Sequence, residues 1–127
     1  MEPVEFIETI KVKLGVVCHV YKFKNRSNCD LGIIEISKGE NTPKQKILKG
    51  DRTIEGYISG SGELVVQNQN KTPESYKVGN KNQEFQIDLV VDDIMQWTAN
   101  VNEELTCFEV CFPAYEEGRF LNLDIND

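Results

Sequence analysis

Apolar residues along this chain recur in short runs and not at helical spacing. No stretch keeps the i, i+3, i+4 pattern for more than about two turns. Runs rich in valine, isoleucine and aromatic residues alternate with clusters of Gly, Asn, Asp, Ser and Pro, the pattern of strands and turns. Residues 9–23 are expected to form one long or bent strand, with Gly15 as a bulge. Residues 25–30 turn the chain, 31–37 form a strand and 38–43 a loop. Residues 45–48, a turn at Gly50 and Asp51, and a strand over 53–58 follow. Ser59-Gly60-Ser61-Gly62 is expected to close a hairpin that returns over 63–67. After a turn at 68–73 come strands over 75–78, 84–90, 94–99 and 105–112, with Pro113 ending the last. Roughly eight to ten short strands without repeat or linker predict an antiparallel all-β sandwich or barrel.

Length and composition keep that picture simple. At 127 residues the chain fits one domain, 1–127, and can bury roughly two thirds of its unfolded surface without a metal or disulfide staple. Residues 1–10 carry three glutamates and no basic residue, so they do not read as a secretory signal. No apolar run approaches a membrane span. A soluble, cytoplasmic protein with no membrane association is the expectation. The formal charge of −7 makes nucleic acid a poor partner. That charge is uneven: from Asp92 onward Arg119 is the lone base among many acids, whereas bases dominate between Lys11 and Lys49.

Cys18, Cys29, Cys107 and Cys111 contain no C-x-x-C pair. Cys107 and Cys111 lie four residues apart in one strand, about 13 Å from each other, too far for a bridge or a shared tetrahedral metal. All four are expected to be free thiols, mostly buried, although pairing of Cys18 or Cys29 with a distant cysteine stays open.

From Gly39 to Pro113 the order of features resembles the cupin family, whose first motif reads roughly G-x5-H-x-H-x3,4-E-x6-G. Gly39 opens the stretch, Thr42-Pro43 resembles the family's small-residue-proline step, and Tyr57-Ile-Ser-Gly-Ser-Gly62 resembles its hairpin. The second motif, H-x3-N before a strand and a proline, resembles Gln96-Trp-Thr-Ala-Asn100 followed by Leu105–Phe112 and Pro113. The resemblance implies a double-sheet antiparallel jelly roll over one domain, with the motif-bearing region at about 39–113, and a homodimer. It puts Thr53 where the family has its glutamate ligand and Gln96 in place of a histidine. The two remaining histidine places fall on Gln45 and Ile47 in one register and on Lys46 and Leu48 in the other. None of these is an imidazole or carboxylate, the ligands that first-row metals favour, so no metal and no cofactor is expected.

Strand alternation then nominates residues for the interior. Thr53, Glu55 and Tyr57 share one face, and Glu55 would be a carboxylate inside the barrel; with Ile54 and Ile58 inward instead, Glu55 would face water. Gln96, Thr98 and Asn100 share a polar face that the family alignment aims inward, while plain hydrophobic burial would turn Trp97 inward instead. Glu109 reads as a surface acid. His19, the single histidine, reads as a hydrogen-bonded strand residue, with catalysis as the rarer alternative. Lys44, Lys46, Lys49 and Arg52 cluster where the family's site is bordered, so Lys46 and Arg52 are candidate anchors for a carboxylate or phosphate. Solvated loop charge is the plainer account of them. The expected function is a metal-free barrel that binds a small polar, even anionic, molecule through Lys46, Arg52, Thr53, Glu55, Tyr57, Gln96, Thr98 and Asn100. The alternative is a metal-independent isomerase or epimerase using Glu55, Tyr57 and His19 as acid–base groups.

Overall fold

Burial along β9 (Ile94–Ala99) alternates strictly: Met95, Trp97 and Ala99 are buried, Ile94, Gln96 and Thr98 less so. The aromatic residue decides the register. Burying an indole removes roughly 200 Å² of surface from water, worth about 5 kcal/mol, and no gain of that size comes from burying Gln96 or Thr98. The polar face of β9 therefore lies outside, and Asn100 is exposed. Gln96, Thr98 and Asn100 do not line the interior, contrary to the family alignment.

The computed structural model describes residues 3–80, 83–115 and 117–123. Glu2, Glu116, Asp124 and Asp127, part of the chain's acidic excess, lie outside them. All regular elements among the described residues are strands. They are β1 (Val4–Lys13), β2 (Val16–Phe23), β3 (Asp30–Ile36), β4 (Gln45–Ile47), β5 (Arg52–Gly60), β6 (Gly62–Gln67), β7 (Glu74–Val78), β8 (Gln86–Leu89), β9, β10 (Leu105–Phe112) and β11 (Phe120–Asn122). One sheet has the order β1-β2-β3-β10-β5-β8, the other β11-β4-β9-β6-β7. Every pairing is antiparallel. The result is a two-sheet jelly roll. Leu64, Val66, Met95 and Trp97 of the smaller sheet and Ile36, Tyr57, Leu89, Leu105 and Cys107 of the larger one belong to a single apolar core. No helix among the described residues is long and apolar enough to cross a membrane.

Two expectations are corrected. Residues 9–23 are not one strand. β1 and β2 form a hairpin in which Lys13 partners Val16, so Leu14 and Gly15 are its two-residue turn. Gly15 has φ +81°, the left-handed conformation that a tight turn can require at its second position and that glycine adopts without strain. Nor do residues 59–62 close a hairpin. β5 pairs with β10 and β8, and β6 with β7 and β9, so this turn carries the chain from one sheet to the other. Gly60 is required there twice over: its φ is +85°, and a Cβ on it would lie 1.8 Å from the Glu104 carbonyl oxygen.

Candidate functional site

The larger sheet presents an inner face that reads row by row across its register. One row runs Val20, Gly32, Glu109, Glu55, Ile87 through β2, β3, β10, β5 and β8. The next runs Lys22, Asp30, Cys111, Thr53, Leu89. Gly32 contributes no side chain between Val20 and Glu109, and a Cβ there would already stand 3.0 Å from Cys18 Sγ. Over this gap lies a cavity of about 340 Å³ between the sheets. Its apolar lining includes Ile10, Val12, Val16, Val20, Ile34 and Phe120. Its polar lining includes Asp30, Glu109, Thr42, Gln45, the Tyr115 hydroxyl and, on the exposed β1 strand, Lys11. Glu109 thus faces the interior and is no surface acid. The alternation that sets it beside Cys107 and Cys111 was legible; that this face is the inner one was not.

Behind Glu109 stands Glu55, 1% exposed. Trp97 Nε1 donates to Glu55 Oε1 at 2.7 Å. Glu55 Oε2 is buried and receives no hydrogen bond from a protein donor. Burial first, then the charge of Glu109 and a carboxyl–carboxyl hydrogen bond with it, push the Glu55 pKa well above the usual carboxylate range. A proton on Glu55 makes sense of the orphaned oxygen, since a carboxylic acid can donate where a carboxylate cannot. Desolvation likewise raises Asp30, opposed by the Tyr115 amide, which donates to its Oδ2 at 2.9 Å, and by the charges of Lys22 and Arg119. Burial, reinforced by Glu109 and Asp30, pushes the Cys18 thiol to about 12. Cys107 and Cys111 are raised for the same leading reason, so these thiols are inert rather than nucleophilic. None of the four cysteines is in a disulfide.

Arg119 closes one end of this face and went unremarked as a site residue in the sequence. Only 1% exposed, it donates from Nη1 to Pro113 O (2.9 Å) and from Nη2 to Arg52 O (2.9 Å), Thr53 Oγ1 (3.1 Å) and Phe112 O (3.2 Å). Its isolation as the single base in an acidic stretch was the available signal. For Gly32 the signal was a glycine inside a strand, which marks a close approach or an open space.

Thr53, Glu55 and Tyr57 do share the inner face and are all buried. The Tyr57 hydroxyl is spent on Gly60 O at 2.6 Å. His19 lies on the opposite face, between the Thr9 hydroxyl at 2.8 Å and Glu35 Oε1 at 2.9 Å. Glu55, Tyr57 and His19 therefore do not converge. Lys46 approaches Asp92 at 3.8 Å beside a second hollow, and Arg52 pairs with Asp88 at 3.1 Å and sits over the Phe112 ring. Neither lines the cavity over Gly32. Gln96 donates to Thr42 O at 2.9 Å, on the outer side of β9.

The residues at the cupin metal positions do not fit a transition metal. Thr53 already accepts a guanidinium, Gln96 faces away and Lys46 turns to an acid. No group of three or more His, Cys, Asp or Glu among the described residues is placed to hold a metal ion.

No family model and no curated protein matches the chain. Solved structures do. Rru_A2000 from Rhodospirillum rubrum, a cupin-2 domain, is 15% identical with a TM-score of 0.68, covering 98% of this chain and 78% of its own. The capsular polysaccharide assembling protein CapF from Staphylococcus aureus is 11% identical with a TM-score of 0.71, over 95% of this chain and 34% of CapF. Oxalate decarboxylase from Bacillus subtilis is 12% identical with a TM-score of 0.71, over 86% of this chain and 28% of its own. The chain spans about a third of the length of CapF and less of the decarboxylase. Architecture and neighbours agree: this chain is a double-sheet antiparallel jelly roll with the cupin fold.

Proposed function

We propose that this domain binds a small molecule in the cavity over Gly32, without a metal. The observation that carries the reading is the gap in the inner face. A cavity of about 340 Å³ lined by Gly32 and Glu109 lies between two packed sheets, a size within the range of small-ligand sites. The lining is mostly apolar with a few polar groups, the usual division between a ligand's body and the group that orients it. Lys46 and Arg52 border other surfaces, so an anion held by those two would bind outside this cavity.

The test is thermal shift against a panel of small metabolites, because a ligand bound only by the folded chain raises its apparent stability. Val20→Phe adds a ring to the lining, and it should abolish the shifts while circular dichroism stays that of the wild type. Hits that survive Val20→Phe undiminished would place binding elsewhere and sink the reading.

A second reading, acid–base catalysis in the same cavity, is favoured by one observation: Glu109 lines the cavity with a buried carboxyl directly behind it. Enzymes pair carboxyls in this way to hold and release a proton. In this reading Glu109 meets the substrate and Glu55 is the proton store, while His19 and Tyr57 take no part.

A further inference from the structure

The ligand's own chemistry follows from the balance of donors and acceptors around the cavity, and it rests on the cavity-binding reading above. Asp30 and Glu109 are acceptors on the lining, on adjacent strands and one register step apart, a diagonal of roughly 7–8 Å between backbones that two side chains can close onto one atom. The Gln45 amide nitrogen gives one of its two N–H groups to Asn122 Oδ1 at 2.9 Å, and its oxygen is a third acceptor. The Thr42 hydroxyl is committed to Trp97, accepting from its amide at 3.0 Å and donating to its carbonyl at 3.4 Å.

Cations offset this surplus only in part. Arg119, outside the lining, acts on Asp30 through space; both its terminal nitrogens are taken by Pro113, Arg52, Thr53 and Phe112, and its buried Nε has no hydrogen-bond partner. Lys22, at the edge of the Asp30 row, acts on Asp30 through space. Lys11 is exposed at the rim. The neutral donors nearest the two carboxyls are the thiols of Cys18 and Cys111, which are weak, and the hydroxyl of the exposed Tyr115. A ligand must therefore bring the donors. Neutral hydroxyls bring one each, whereas a protonated amine brings up to three and a charge, and charge-assisted bonds are about twice as strong as neutral ones.

We infer that the cavity over Gly32 is a site for a small organic ammonium, its nitrogen held by Asp30 and Glu109 and its aliphatic body against Val16, Val20 and Ile34. The wall of Tyr115 and Phe120, stacked with centroids 6.0 Å apart, flanks the acidic end with further apolar surface.

A matched six-carbon series separates this inference from the reading beneath it: hexylamine, hexan-1-ol and hexanoate, titrated at neutral pH by thermal shift and calorimetry against the wild-type chain. Hexylamine should bind saturably, hexan-1-ol more weakly and hexanoate not at all. Glu109→Gln should weaken hexylamine about tenfold or more while leaving hexan-1-ol within a fewfold of wild type. Asp30→Asn keeps an acceptor for the Tyr115 amide and should do the same, so the outcome does not hang on one variant folding. Equal affinity for amine and alcohol, or tighter binding of hexanoate, would overturn the ammonium inference with the cavity still a binding site. Hexylamine bound equally well by wild type, Glu109→Gln and Asp30→Asn would overturn it too. If Val20→Phe leaves all binding intact, the cavity reading falls and the inference falls with it.

Discussion

Glu55 and Glu109 are direct cross-strand partners on β5 and β10, two acids side by side on the inner face of one sheet. Like charges in that position are destabilising, and burial makes the repulsion worse. The pair is tolerable when one proton sits between the carboxyls, and burial favours its place on Glu55 even though the Trp97 hydrogen bond pulls the other way. By donating to Glu55 Oε1 the indole holds that carboxyl still, while Oε2 has no hydrogen-bond partner. The arrangement resembles acid pairs that carry one proton at neutral pH because both members cannot ionise together.

The proton on Glu55 has a consequence for stability. Burial holds its folded pKa well above that of an ordinary glutamate, so between the unfolded and folded values the folded chain binds more protons than the unfolded one. Stability from this group is therefore full at low pH and is lost as pH rises through the folded pKa. Glu55→Gln removes the titration while offering an amide to Glu109 and an oxygen to Trp97. At pH 8 the variant should be about 1–3 kcal/mol more stable than wild type, the scale of a relieved buried polar group, and near pH 5 the two should match. Asp30 contributes a slope of the same sign, so the variant's pH dependence flattens without vanishing. Urea denaturation from pH 5 to 8 measures this, and parallel curves for the two proteins would refute it.

Arg119 should be among the costliest side chains to remove. Arg119→Met keeps much of the volume but strips the donors from three carbonyls and the Thr53 hydroxyl, at a cost of about 3–5 kcal/mol. Arg119→Lys retains the charge but delivers it from a single nitrogen that cannot span the four oxygens, and should recover only part of the loss. Denaturant midpoints for the three chains give the order directly. A loss below about 1 kcal/mol in Arg119→Met would mean that water replaces the guanidinium freely.

Much of the architecture was legible because strands and turns write themselves in composition. The runs at Ile94–Ala99 and Leu105–Phe112 were placed to the residue, and Thr53, Glu55 and Tyr57 were grouped on one face, although whether that face turns inward stayed open. What failed were decisions that depend on which sheet a strand joins. Gly60 reads the same in a hairpin and in a crossing between sheets; only the pairing of β5 with β10 distinguishes them. Gln96 and Asn100 were aimed inward by a motif, and the indole between them overruled it. The cavity itself was hidden because it is defined by a missing side chain at Gly32 and by acids contributed from β3 and β10, far apart in sequence and adjacent only in register.

Metal content offers a further check. Thr53 holds a guanidinium, Gln96 faces the outside, and neither can contribute the imidazole or carboxylate that a first-row ion requires. Protein purified without chelators should carry no stoichiometric transition metal by elemental analysis. One tightly held ion per chain would refute this and point to the acids around Glu109 as its ligands.

The last prediction concerns β1, which lies at an edge of the larger sheet with Phe6, Ile7, Ile10 and Val12 exposed along ten residues. An edge of this length presents unpaired backbone groups, and exposed apolar residues make it a template for another strand. Its charges suggest which strand. Glu5 and Glu8 occupy one half and Lys11 and Lys13 the other, so a second β1 running antiparallel sets acids against bases in both halves. That is the self-complementary geometry of a two-fold dimer. Light scattering at micromolar concentration should give twice the 14.5 kDa chain mass. Ile7→Lys should shift the population to monomer, and Lys11→Glu should weaken the dimer more at low salt than at high, since screening removes the repulsion it introduces. Because Ile10 and Val12 also line the cavity, dissociation should loosen ligand binding as well. A monomer at every concentration, or an Ile7→Lys dimer as tight as wild type, would assign the association, if any, to another face.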